Sequence, residues 1–223
     1  MKSVFALTAA LALALAGCSG TPQAPPPASD TPQVLSQAAP PTSTYYPLKV
    51  GNKWVFSGRD YAPSRRAGFL ALAPERQMAP KGTYVSTDQV LGTTVYHGLT
   101  WLKVRESADG DSYNFWCRHD VVGLAAREVA PASTGRTEYA IKAPLKVGTA
   151  WQARDGSLKI ISTTATVQVP AGKFTNCVAV QGKYPDAETV VWYYHAGVGP
   201  IQMKDTISGV LSGRLDLKSY TIK

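Results

Sequence analysis

The strongest sequence evidence for the fold is an octapeptide that occurs first as Pro47-Leu48-Lys49-Val50-Gly51-Asn52-Lys53-Trp54. It returns as Pro144-Leu145-Lys146-Val147-Gly148-Thr149-Ala150-Trp151, with five identical residues in a row and the tryptophan at the same offset. So close a match is hard to assign to chance, and internal self-similarity indicates a duplicated structural unit. Two copies are too few for a solenoid, which needs at least three. We therefore expect two β halves, residues 47–130 and 144–205, within one sheet system.

A second repeated pattern lies further along each half. In both copies a tryptophan is followed three residues later by a histidine and seven residues later by a glycine. The two sets are Trp116, His119 and Gly123, and Trp192, His195 and Gly199. The matching positions predict a structural role for each histidine in the turn after its tryptophan strand. With His97, the histidines are too few and too separated for a zinc pattern, so we expect no metal and no cofactor.

The segments between these motifs have the pattern of strands. Residues 99–107 and 112–119 flank Asp109-Gly110, a dipeptide that supplies the positive φ angles of a tight hairpin. A second turn is predicted at Pro170-Ala171-Gly172, and the tail 211–223 alternates leucine with charged residues. No segment has a convincing apolar stripe of helical period. The predicted fold class is all-β: a mostly antiparallel curved sheet, sandwich or half-barrel of ten to twelve short strands.

The N-terminal residues have the order of a secretory signal peptide. Lys2 is followed by an apolar run, Val4 to Ala16, and by small residues. The run of about 13 residues is shorter than the ~20 that a membrane-spanning helix needs. Leu15-Ala16-Gly17-Cys18 resembles the lipobox of bacterial lipoproteins, in which the cysteine sulfur receives a diacylglycerol group. The resemblance implies a signal peptide over residues 1–17 and a mature chain lipidated at Cys18.

This resemblance also implies a location. Two or three fatty chains, such as palmitate, make a stable anchor, so we expect the protein outside the cytoplasm and held at a membrane. Ser19 is typical of outer-membrane sorting in a Gram-negative cell. Residues 18–44 contain seven prolines and one charged residue, and such a segment cannot bury enough apolar surface to fold. They are predicted to be a disordered tether before a single β domain, residues 45–223.

Three motifs give the β domain a resemblance of its own. They are the Pro-Leu-Lys-Val-Gly-x-x-Trp repeat, Val169-Pro170-Ala171-Gly172-x-Phe174, and Tyr193-Tyr194-x-x-Gly197-Val198-Gly199. Together they resemble a pattern of uncharacterised bacterial envelope proteins and lipoproteins. The resemblance implies fold and compartment, and it carries no catalytic residue.

Two cysteines remain beside Cys18. Outside the cytoplasm an even pair favours a disulfide. A Cys117–Cys177 bond would link the two halves across about 60 residues and contribute ~2–4 kcal/mol. Two free buried thiols are the alternative. Neither cysteine lies in a C-x-x-C motif, so a redox role is not expected.

The segment from Tyr61 to Lys81 has no counterpart in the second half and contains the apolar cluster Phe69, Leu70 and Leu72. Long connections of this kind are usually functional or disordered. These three residues are the candidate ligand or partner patch. The alternative is a loop that packs its leucines onto the sheet.

Enzyme signatures are missing from the sequence. There is no nucleophile elbow, phosphate loop or dinucleotide fingerprint. Asp109, Asp111 and Glu106 lack the calcium-loop pattern and are expected at a solvated hairpin tip. The tryptophans and tyrosines are expected mostly in the core, although one or two could line a ligand groove.

The charge pattern excludes one class of partner and leaves others open. The net charge is +8, but the basic residues are scattered rather than arranged in the stripe of a nucleic-acid binder. We predict a non-enzymatic binding or scaffolding module whose partner is an envelope protein, a lipid or a cell-wall polymer. The alternative is a carrier or chaperone for lipid or another apolar ligand.

Overall fold

The computed structural model describes residues 41–61, 82–128 and 137–223. These residues form one twelve-stranded antiparallel sheet, which confirms the predicted all-β class. Its strands are β1 (Lys53–Asp60), β2 (Thr83–Tyr96), β3 (Leu99–Ala108), β4 (Asp111–His119), β5 (Gly123–Glu128), β6 (Glu138–Lys142), β7 (Ala150–Ala153), β8 (Gly156–Val169), β9 (Gly172–Lys183), β10 (Glu188–His195), β11 (Gly199–Ile207) and β12 (Val210–Thr221). Helix in the described ranges is limited to one short 3₁₀ segment, which has neither the length nor the hydropathy of a membrane span.

The sheet follows the chain order and then closes on itself. Its strand order is β6-β5-β4-β3-β2-β1-β12-β11-β10-β9-β8-β7, so β1 pairs with β12 and the edge strands are β6 and β7. These two edges meet, because the Trp151 indole N–H donates to the Tyr139 carbonyl at 2.7 Å. Nearby, the Arg154 backbone N–H donates to the Glu138 carboxylate at 3.2 Å. The result is a nearly closed, barrel-like sheet with a seam between β6 and β7.

The two copies of the sequence motif form the same turn. Gly51 and Gly148 both have positive φ, 89° and 96°. The Asn52 side-chain amide donates to the carbonyl of its motif proline at 2.6 Å, and the Thr149 hydroxyl does the same at 2.8 Å. Both motif tryptophans then donate their indole N–H to a distant backbone carbonyl. The copies share one local geometry, while the extent of the two halves stays a prediction.

Both predicted hairpin turns are present. Asp109 and Gly110 connect β3 to β4 with φ of 49° and 87°, and positive φ at both central residues is the geometry of a type I′ turn. Pro170 and Ala171 connect β8 to β9. Strand lengths differ from expectation, because β2 and β8 each have 14 residues rather than being short.

One hydrophobic cluster occupies the interior of the barrel. Strand alternation directs these side chains inward, as in β10, where every second residue from Glu188 to Tyr194 is buried. Trp54 stacks on Tyr46 with ring centroids 4.7 Å apart. The largest fully buried side chains are Trp54, Trp192, Tyr46, Tyr194, Phe56 and Phe115. The aromatic residues are therefore mainly core residues, as expected.

Residues 41–52 close one end of the barrel, which we call the plugged end. Thr42–Tyr45 form the 3₁₀ helix, and Thr42 and Tyr45 are buried. The Thr44 carbonyl accepts a hydrogen bond from the Gly197 N–H at 2.7 Å. The tether was predicted to continue to residue 44, but these residues belong to the folded body. The proline-rich composition obscured a short turn that the adjacent tyrosines anchor in the core.

Candidate functional site

A pocket of about 560 Å³ lies on the outer face of strands β2, β1 and β12. Along β1, Ser57 and Arg59 alternate with the buried Phe56 and Gly58, so their side chains face outward. The same alternation directs Arg214 and Asp216 of β12 outward. The polar residues that line the pocket are Ser57, Arg59, Tyr61, Thr83, Tyr84, Arg214 and Asp216.

Three cations lie in a row across this face. Arg59 of β1 is directly opposite Arg214 of β12, and Lys204 of β11 is opposite Arg214 on its other side. Directly opposed residues share one face and have Cβ atoms ~4.5–5.5 Å apart, and like charges in this position destabilise the pair. An anion bound between the two arginines would remove this repulsion.

Neighbouring groups hold the cations in place. The Asp216 carboxylate forms an ion pair with Arg214, whose Nε lies 2.6 Å away, and it accepts a hydrogen bond of 2.6 Å from the Gln202 side-chain amide. The Arg59 guanidinium lies 5.9 Å from the centre of the Tyr61 ring, and the Lys204 amine lies 5.7 Å from the Tyr193 ring. Among the described residues at this site, three cations and one carboxylate give a net positive charge. The planar arginine fork suits carboxylate, phosphate and sulfate groups.

Inside the barrel, by contrast with the outer arginine pocket, lies a pair of acidic residues. Asp88 and Glu106 are directly opposite in the β2–β3 ladder, and each is 2 % exposed. Burial raises the pKa of the Cys117 thiol well above its usual value, and the Asp88 carboxylate adds to this effect. Because both acids are enclosed by the core, we assign them no catalytic role.

The predicted position of Glu106 is wrong. The residue was expected at a solvated hairpin tip with Asp109 and Asp111, and only those two aspartates are exposed there. Glu106 lies within β3, where strand alternation directs it to the interior together with Val104 and Ala108.

The predicted disulfide is not present in the structure. Cys117 on β4 and Cys177 on β9 are both buried free thiols. By the shorter path around the barrel, four strands separate β4 from β9. The alternative of two buried thiols therefore describes the structure.

The paired histidines end matching strands, His119 on β4 and His195 on β10. His119 Nε2 donates to the Tyr46 carbonyl at 2.8 Å, and the His195 ring lies 5.3 Å from the Phe174 ring. Burial lowers the pKa of His119, although the bond to Tyr46 opposes this effect. Within the part of the chain that the structure describes, no cluster of His, Cys, Asp or Glu could hold a metal ion.

The other predicted site residues lie outside the described ranges. These are Cys18 and the patch Phe69, Leu70 and Leu72, which stay predictions. Conversely, Arg59 and Arg214 were not among the predicted site residues. Their juxtaposition depends on the pairing of β1 with β12, and no local signal in the sequence reports that pairing.

Comparisons with known proteins are limited to two solved structures. No family model and no curated protein matches the chain. A "putative exported protein with YmcC-like fold" from Bacteroides fragilis aligns with a TM-score of 0.49 and 10% identity, over 80% of this chain and 99% of that one. A "putative lipoprotein" from Parabacteroides distasonis aligns with a TM-score of 0.45 and 13% identity, over 82% and 100% of the two chains.

Proposed function

We propose that this chain is a lipid-anchored lipoprotein of the cell envelope that acts as a non-enzymatic binding module. Its anchor is Cys18, and in a Gram-negative cell its location is the outer membrane. The bound group is an anion on an envelope protein, a lipid or a cell-wall polymer. The binding site is the arginine pocket on the outer face of β2, β1 and β12.

One observation carries this proposal: Arg59 and Arg214 face each other across two strands and line the same pocket. Directly opposed like charges destabilise a pair of strands, and a bound anion would offset that cost. Hydrogen bonds from guanidinium to an anion are charge-assisted and about twice as strong as neutral ones. The arrangement is therefore suited to an anionic group.

The alternative function, a carrier for lipid or another apolar molecule, requires space inside the barrel. The interior between the described strands is instead occupied by large side chains such as Trp54 and Trp192, both buried. This packing favours the binding module. We also propose that residues 47–130 and 144–205 arose by duplication, which the shared turn geometry of the two motifs supports.

The anchor is tested by metabolic labelling with radioactive palmitate. We expect the wild-type chain to incorporate the label and to fractionate with membranes, and the Cys18→Ala variant to lose the label. Labelling of the Cys18→Ala chain would refute the anchor without affecting the anion site.

The anion site is tested with Arg59→Gln in the full chain, with inorganic phosphate as the probe. Phosphate at about 100 times its dissociation constant should stabilise the wild-type protein by ~2.7 kcal/mol, and Arg59→Gln should lose most of this gain. Without phosphate the variant should be as stable as wild type, or up to ~1 kcal/mol more stable, because a like-charge pair is removed.

The matched control is Arg105→Gln, which removes an exposed arginine from β3, outside the pocket. It should leave the phosphate response unchanged. An equal response of wild type and Arg59→Gln to phosphate would refute the site.

A further inference from the structure

The two ends of the barrel can be distinguished by chain order. In an antiparallel sheet whose chain neighbours pair, successive connections alternate between the two ends. The plugged end therefore carries residues 41–52 and the connections 97–98, 120–122, 143–149, 170–171 and 196–198. The opposite end carries the connections 109–110, 154–155, 184–187 and 208–209 among the described residues.

Among the described residues, exposed apolar side chains are more frequent at the plugged end. Val121, in the β4–β5 turn, is 97% exposed, and Val95, beside the β2–β3 turn, is 70% exposed. Turn residues are normally polar, and exposing these side chains serves no packing purpose. The exposed large apolar and aromatic residues at this end are Val50, Val95, Leu99, Val121, Val147 and Tyr220. At the opposite end, the part of the chain that the structure describes exposes Tyr61, Val85 and Val210.

Each copy of the sequence motif forms a tip, which we define as the exposed lysine and valine just before its glycine turn. In the first copy Lys49 and Val50 are both exposed just before the glycine turn, and in the second copy Lys146 and Val147 are exposed in the same way. Both tips lie at the plugged end, one before β1 and one before β7. A lysine beside an exposed valine is thus a repeated feature of this surface.

The charges of the described connections differ between the ends. At the plugged end they include Lys49 and Lys146, and the acidic residue Asp120 is paired with Arg118 at 2.9 Å. At the opposite end the charged residues are mainly acidic: Asp109, Asp155 and Asp186, with Arg154. Among the described residues, the plugged end is therefore both the more apolar and the more basic of the two.

We propose that the plugged end docks directly on a bilayer surface that contains anionic phospholipids. The valines and Leu99 enter the boundary between head groups and acyl chains, while Lys49 and Lys146 contact the phosphates. The folded chain also begins at this end, with residues 41–52. This contact is distinct from the lipid anchor and from the arginine pocket.

The test uses the mature chain, residues 18–223, with Cys18→Ser so that no lipid is attached; the folded body with its complete sheet is retained. Binding is measured by co-sedimentation with vesicles of phosphatidylglycerol and phosphatidylethanolamine, and with vesicles of phosphatidylcholine alone. We expect binding to the anionic vesicles that falls as salt is raised. Equal binding to both vesicle types would overturn the proposal.

The variant Val50→Asp/Val147→Asp changes both tips and should bind the anionic vesicles about tenfold more weakly, because each change removes an apolar contact and adds a repulsive charge. The matched control Val210→Asp places the same charge at the opposite end and should bind as wild type. Thermal melting checks that both variants fold. Wild-type binding by the double variant, or an equal loss in the control, would overturn the proposal.

A second measurement places a fluorophore at the surface itself. Val121→Cys, labelled with an environment-sensitive dye, should show a blue-shifted emission when anionic vesicles are added, because the dye leaves water. A dye on Val210→Cys should show no shift. An unshifted emission from position 121 would contradict docking by this end.

Discussion

We expect Trp151→Phe, a change at the seam between β6 and β7, to lower the free energy of unfolding substantially. This change keeps an aromatic ring and removes the indole N–H that donates to the Tyr139 carbonyl at 2.7 Å. Leaving a carbonyl without its donor costs ~1–3 kcal/mol, and the lower half applies here because the bond is only partly buried. The smaller ring buries roughly 40 Å² less apolar surface, or ~1 kcal/mol at 25 cal/mol per Å². We expect the free energy of unfolding to fall by about 2–3 kcal/mol.

Urea unfolding followed by circular dichroism measures this change. The control is Trp116→Phe, which removes the same atoms from a half-exposed tryptophan of β4 away from the seam and should cost less than ~1 kcal/mol. Hydrogen exchange should also show faster opening of β6 and β7 than of β10 in Trp151→Phe. A loss no larger than that of the control, with unchanged exchange at β6 and β7, would refute the role of this bond in holding the seam.

Two further predictions concern titratable groups. Burial raises the pKa of Cys177 from 9.0 to about 11 and that of Cys117 well above 9.0. A maleimide at neutral pH should therefore label neither thiol in the folded protein, and it should label both after unfolding without reductant. Rapid labelling of the folded protein, or no labelling after unfolding, would contradict the structure. Burial lowers the pKa of His119 below 6.5, so the neutral ring contributes stability that is present above pH 6.5 and is lost as the pH falls through the folded-state value. The wild-type protein should therefore lose stability on acidification below pH 6.5 more steeply than His119→Gln, and parallel curves would show that His119 is not responsible.

The sequence predicted those features of the fold that depend on neighbouring residues. The turn at Asp109-Gly110 was predictable because positive φ at two successive positions restricts the residue types. The inward positions of Leu215 and Leu217 followed from their alternation with charged residues. In each case a few adjacent residues contain the whole signal.

Features that depend on pairing between distant strands were not predictable in the same way. The arginine pair joins residue 59 to residue 214 through the β1–β12 ladder. The buried position of Glu106 depends on which face of β3 meets the core, and a charged residue gives the opposite expectation. The start of the folded body was not predictable because Thr42–Tyr45 are ordered by contacts with residues that are distant in the sequence.

The pairing of β1 with β12 also constrains how the domain folds. These strands are separated in the chain by the ten strands between them, yet they lie side by side in the sheet. The first strand remains with one unpaired edge until the last has been made, and such non-local contacts slow folding. The sheet of this domain is therefore completed only when the last strand of the chain pairs with the first.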